Sequence, residues 1–181
     1  MDVQKTSIAD CWIIKPKVFK DNRGYFYESF QKERFEEQTK IAFNPVQDNE
    51  VFSTYGVVRG LHLQEAPHAQ AKLVRVLQGT ILDVVVDLRK ERPTFGAVVT
   101  AVLSQENKEQ LFVPKGCAHG YAVLSAEAVV FYKTDAYCHP ETESGILYND
   151  AELNIDWGIP EEKHILGDKD HLWPTFKNYF L

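Results

Sequence analysis

The chain has 181 residues, 44% hydrophobic and 25% charged, with a formal net charge of −6 at pH 7. This length suffices for one substantial core, so a single domain over residues 1–181 is expected. The acidic balance and the lack of any uncharged stretch of membrane-spanning length argue against nucleic acid or a membrane as the main partner.

In chain order, the opening MDVQKTSIAD has no basic segment followed by an apolar run, as an export signal would. Cys11, Cys117 and Cys138 are odd in number and far apart, which suits neither a disulfide framework nor a Cys-x-x-Cys metal site. A cytoplasmic protein is expected. CWIIKPKVF and GYFYESF predict two strands joined by a turn at Asp21-Asn22-Arg23-Gly24, where Asp, Asn and Gly supply turn chemistry. The first of them could lie at a sheet edge or cross to a partner subunit. Gln31–Lys40 predicts an outer helix seated by Phe35. Val46–Thr54 returns to extended structure, with Gln47 and Asn49 on one face beside Val51 and Ser53.

Apolar, β-branched runs follow at Leu73–Leu77, Thr80–Leu88, Gly96–Leu103, Gln110–Val113, Tyr121–Leu124 and Ala128–Lys133, with turn residues between them. That pattern predicts a mainly β, antiparallel jelly-roll barrel with a few short peripheral helices. From Tyr137 the pattern loosens. Leu147, Trp157, Ile165, Leu166 and Trp173 need a surface to pack on, so the tail is expected to wrap the barrel and bring Lys169 and Asp170 to a cavity mouth.

The most informative stretch is VVRGLHLQEAPHAQAK, residues 57–72, with its echo PKGCAH at 114–119. Arg59, His62 and Gln64 are read as polar positions sharing one strand face. His62-x-Gln64, then Lys72-x6-Gly79, then Pro114-x-Gly116-x-x-His119 resembles the two metal motifs of the cupin barrels, with Gln and Lys where two of the ligands belong. Gln is a poor ligand and an ammonium repels a divalent cation, so no metal is expected there. A fixed positive charge in a sheltered pocket instead suits a developing oxyanion.

The order FKDNRGYFYESF, QDN, GVVRGLHLQ, AQAKLVRVLQG, DVVVDLR, PKGCAHGY, YKTDAYCHPETESGI and GDKD resembles the dTDP-4-dehydrorhamnose 3,5-epimerases from about Phe19 to Asp170. One departure is Gly167, where that family usually has Ser. The resemblance implies a cupin-like double-stranded β-helix, a homodimer, no cofactor and a dTDP-sugar substrate whose ketone at carbon 4 acidifies the hydrogens on carbons 3 and 5. It implies His62 as base, Asp170 as its orienting carboxylate, Lys72 as the cation facing the oxyanion and Tyr132 as the acid on the opposite side. It further implies Arg23 and Arg59 as diphosphate contacts and substrate-binding roles for Glu28, Gln47, Asp48, Asn49, His119, Glu143 and Lys169. Phe26 and Tyr137 are candidates for packing on the base. His68, His139, His164 and His171 lie outside these motifs and are read as ordinary exposed histidines. Rival readings are an enzyme inverting one carbon only, a sugar-nucleotide-binding module without activity, and a metal-dependent cupin.

Overall fold

The computed structural model describes residues 1–181. Its strands are β1 (Asp2–Lys5), β2 (Trp12–Lys15), β3 (Phe19–Asp21), β4 (Gly24–Phe26), β5 (Gln47–Thr54), β6 (Val58–Gln64), β7 (Lys72–Gln78), β8 (Thr80–Asp87), β9 (Val98–Ser104), β10 (Gln110–Val113), β11 (Cys117–Val123), β12 (Glu127–Thr134) and β13 (Glu143–Gly145). The one α-helix, α1 (Lys32–Thr39), lies between β4 and β5. No helix is long and apolar enough to cross a membrane.

Two antiparallel sheets face each other as a jelly roll. One runs β1-β2-β10-β7-β12-β5 and the other β13-β6-β11-β8-β9, while β3 and β4 form a separate hairpin. Alternation assigns the layers. On β8, Ile81 and Val85 meet Val74 and Val76 of β7, Val130 of β12 and Leu111 of β10 in the cluster between the sheets. The other face of β8 sends Val84 and Val86 outward against Ile146, Tyr148, Leu153, Trp157, Ile159 and Phe176 of the tail. β11 is buried along its whole length because it is covered on both sides. A third cluster seats α1: Phe35 and Phe43 pack with Phe112, Leu73 and Ile14 on the outside of the six-stranded sheet. Gln31 caps the helix, its side-chain oxygen accepting from Arg34 N–H, and Lys40 ends it at φ 62°.

Three expectations need correction. CWIIKPKVF is two strands, because the chain leaves the sheet at Pro16 and begins the hairpin at Phe19. GYFYESF is extended only over β4, and Glu28 and Ser29 lie outside any strand. β11 begins at Cys117, four residues before the predicted Tyr121, so the Pro-x-Gly-x-x-His motif runs into a strand.

The decisive local feature is on β6. Arg59 and His62 are three apart, and a regular strand would point them to opposite faces. Their partners on β11 are Tyr121 and His119, only two apart, so the register carries a bulge. The extra residue turns both side chains to the interior. Glycine on both strands makes this possible: a Cβ on Gly60 (φ +127°) would lie 2.5 Å from Gly120 Cα, and one on Gly120 would lie 2.6 Å from the Arg59 carbonyl oxygen.

Candidate active site

One end of the space between the sheets opens into a cavity of about 450 Å³, lined among others by Arg59, His62, Lys72, His119, Tyr132 and Asp170. The five-stranded sheet supplies Arg59 and His62 from β6 and His119 from β11; the six-stranded sheet supplies Lys72 from β7 and Tyr132 from β12. The tail supplies Asp170, which sits in a 3₁₀ turn at Asp168–His171.

His62 and Asp170, 108 residues apart in sequence, meet at 2.5 Å between Nε2 and Oδ1. The second oxygen of Asp170 accepts from the Gly167 N–H at 3.3 Å, so a backbone donor holds the carboxylate from behind. Burial alone would push Asp170 up, but the His62 hydrogen bond and charge and the Gly167 N–H outweigh it and hold the carboxyl below its usual range. With Nε2–H donating its hydrogen bond to the Asp170 carboxylate, the lone pair of His62 is on Nδ1. Trp173 stands edge-on to the imidazole, ring centres 6.0 Å apart.

A second imidazole–carboxylate pair lies deeper. His119 Nε2 is 2.7 Å from Oδ1 of Asp83, a fully buried side chain whose other oxygen has no hydrogen-bond partner within the chain. Burial pushes the Lys72 ammonium down to about 8, against the charges of Asp83 and Glu143, which raise it. The site therefore holds a cation in poorly solvated surroundings, with the Asp83 carboxylate as its principal counter-charge. Burial likewise pushes the Tyr132 phenol up, so Tyr132 keeps its proton across the neutral range. Arg59 Nε donates to Ser53 Oγ at 3.1 Å, which fixes the guanidinium at the cavity wall.

The family model described as dTDP-4-dehydrorhamnose 3,5-epimerase matches residues 5–178. The chain belongs to the dTDP-4-dehydrorhamnose 3,5-epimerase family. It is 51% identical over 170 residues to the enzyme of that name from Shigella flexneri, covering 94% of this chain and 93% of the relative. Among solved structures, the epimerase of Elizabethkingia anophelis superposes with a TM-score of 0.96 at 51% identity, over 98% of this chain and 97% of the other. The dTDP-6-deoxy-D-glucose-3,5-epimerase of Legionella pneumophila, solved with dTDP-4-keto-L-rhamnose, gives 0.93 at 47% identity, over 97% and 93%.

Of the residues that the family resemblance implied, His62, Lys72, Tyr132, Asp170, Arg59, His119, Glu143 and Lys169 all line the cavity, the last two joined by an ion pair. Gln47 and Asn49 lie on the same face of β5 as cavity-lining Val51 and are bonded to each other at 2.9 Å. Asp48 points to the opposite face, where it pairs with Lys133. Tyr137 is exposed. Arg23, Phe26 and Glu28 are elsewhere: Arg23 folds back on Asp21 in the hairpin, Phe26 is 69% exposed, and Glu28 pairs with Arg34.

Asp83 is absent from the sequence-based set. Its signal was available, since an Asp inside the apolar run TILDVVVD must find a partner or stay exposed. Ser53 left no such mark. Gln64, compared with a metal ligand, is buried and its Oε1 accepts from His139 N–H at 2.9 Å and the Thr142 hydroxyl at 3.0 Å. The reading of four ordinary exposed histidines holds for His171 only. His164 is half-buried and bonds the Ile159 carbonyl, and His68 and His139 are half-buried and stacked on each other, because two turns meet where Gln64 ties them.

Proposed function

We propose that the protein inverts carbons 3 and 5 of dTDP-4-dehydro-6-deoxy-D-glucose, giving dTDP-4-dehydro-L-rhamnose. The observation that carries this reading is the placement of proton acceptor and donor on opposite sheets: His62 projects from β6 and Tyr132 from β12 across one cavity. A proton removed from one face of a sugar ring and returned from the other inverts the carbon between them.

The ketone at carbon 4 makes the neighbouring hydrogens acidic, though too weakly for an imidazole alone. His62 takes the proton at Nδ1 while Asp170 stabilises the imidazolium that forms. Negative charge then gathers on the ketone oxygen, where the Lys72 ammonium, poorly solvated, stabilises it more than water could. Tyr132, still protonated, delivers hydrogen to the other face. Once His62 has released its proton to water and the Tyr132 phenolate has regained one from water, a second round at the other carbon completes the double inversion. Arg59 is suited to the diphosphate, for which its guanidinium offers a planar fork of donors.

We further infer a homodimer that completes the site. The hairpin β3–β4 exposes Phe19, Tyr25 and Phe26 around Arg23, and the outer face of the six-stranded sheet exposes Phe52 and Leu77 beside Phe131. Arg75 joins the two regions, lying over the Phe131 ring at 5.1 Å and donating to the Tyr27 hydroxyl at 2.8 Å. Apolar surface of this kind is suited to a second copy. Arg23 and Phe26 can then serve the partner's cavity rather than their own. A cytoplasmic location agrees with three unpaired cysteines, one of them exposed.

The test is proton exchange in heavy water with dTDP-4-dehydro-6-deoxy-D-glucose, followed by NMR. Deuterium at carbons 3 and 5, with inversion at both, is expected. Inversion at one carbon only, or binding without exchange, overturns the assignment.

A further inference from the structure

Outside the cavity, two turns meet at the end of β6. In one, His68 N–H bonds the Glu65 carbonyl at 2.9 Å; in the other, Thr142 N–H bonds the His139 carbonyl at 3.0 Å. Buried Gln64 ties them together, taking the His139 N–H and the Thr142 hydroxyl on one oxygen, and Glu65 N–H adds a bond to the Thr142 carbonyl at 2.9 Å. The result is a braced pair of loops rather than two independent ones.

On this frame the His68 and His139 rings stack, with centres 3.5 Å apart and planes within 14°. His139 Nδ1 lies 3.0 Å from a Glu141 carboxylate oxygen. One donor atom from each of His68, His139 and Glu141 falls within 4.8 Å of the other two. None of the three lines the catalytic cavity.

We propose that His68, His139 and Glu141 form a binding site for one divalent cation of the zinc class, separate from the catalytic cavity. Two imidazole nitrogens and one carboxylate oxygen are the donor types that borderline cations prefer, whereas magnesium and calcium take oxygen shells. The donor atoms are already close, so the stacked rings need only turn out of parallel for their in-plane lone pairs to meet on one ion, and the single carboxylate offsets half of the ion's charge. Three protein donors leave a fourth position for water or an outside ligand. Because Glu141 is two residues from cavity-lining Glu143, a bound ion fastens the loop that carries Tyr137 and leads into the cavity wall.

The experiment is Zn²⁺ titration by calorimetry on metal-free, untagged protein, with Co²⁺ absorption as a second readout of coordination. One equivalent of Zn²⁺ per chain is expected, bound at micromolar concentrations and not displaced by millimolar Mg²⁺. His68→Ala and His139→Gln should each weaken binding by at least about tenfold, with a smaller loss for Glu141→Gln. Circular dichroism and metal-free proton-exchange activity, both unchanged, will show that the variants are folded. Absence of binding below millimolar Zn²⁺ overturns the site, as does wild-type binding by the folded His68→Ala protein.

Discussion

A poorly solvated ammonium such as that of Lys72 destabilises the fold that holds it, and the sign of its pH dependence follows. Its value falls from 10.5 to about 8 on folding, so between those limits the unfolded chain holds a proton that the folded chain has lost. Stability from this group therefore rises with pH through that window, and the full penalty is present below pH 8. In the proposed reaction activity runs the other way, because deprotonation removes the charge assigned to meeting the oxyanion. We predict that kcat/KM declines above about pH 8, while Lys72→Met abolishes exchange yet raises stability at pH 7 by about 1–3 kcal/mol in urea denaturation. A destabilised Lys72→Met protein would show that its pairing with Asp83 outweighs its burial. Tyr132 offers a separate check. Its phenol is pushed up by burial, so Tyr132→Phe should impair inversion more than deuterium uptake and leave the alkaline limb in place. Equal loss of both activities would remove Tyr132 from the role of acid.

The β6 bulge is what converts a strand into half of an active site, and it rests on atoms that are missing. With Gly120→Ala, the new methyl meets the Arg59 carbonyl oxygen, so the register that lets Arg59 and His62 share a face cannot persist. A loss of at least about 2 kcal/mol on urea unfolding, together with loss of exchange, is expected. Retention of activity would mean that the strand can yield locally. Gly145 has a similar constraint on a neighbouring strand: a Cβ there would lie 2.8 Å from the Trp173 ring that borders His62. Such contacts explain what sequence could and could not tell. Most strands of the two sheets are legible because short β-branched runs stand between turn residues, but β1 and β13 are not; His62, Lys72 and His119 are legible from the spacing of the cupin motifs, and Asp170 only through the family resemblance. Of the grouping of Arg59, His62 and Gln64 on one face, Arg59 and His62 share the cavity and Gln64 does not, and nothing in RGLH states that a bulge brings the first two together. Asp83 was passed over as part of an apolar run, although only the fold reveals His119 as its partner. Stacking of His68 on His139 depends on two turns 70 residues apart in sequence, beyond the reach of local patterning.

For the whole molecule, the homodimer proposed above, built on the exposed aromatic hairpin and the outer sheet face, makes assembly a condition of function that can be tested. Phe52→Glu puts a charge into that face on its edge strand β5, and the variant should sediment as a monomer at micromolar concentration, where the parent is expected to be a dimer. Its KM for the nucleotide sugar should rise more than tenfold, with a smaller fall in kcat, because a monomer lacks the partner's Arg23 and Phe26 but keeps His62, Lys72 and Tyr132. A parent protein that is itself monomeric would refute the pairing. The pairing of His62 with Asp170 carries a different consequence, one of timing during synthesis. Every strand of both sheets has been made by Gly145, ahead of the tail side chains that cover the outer face of β8. His62, the proposed base, however, has no carboxylate partner until the tail has crossed the outside of the five-stranded sheet and turned back to the cavity. Competence for chemistry thus comes last in synthesis, since Asp170 and the tail side chains that cover the outer face of β8 leave the ribosome after every strand.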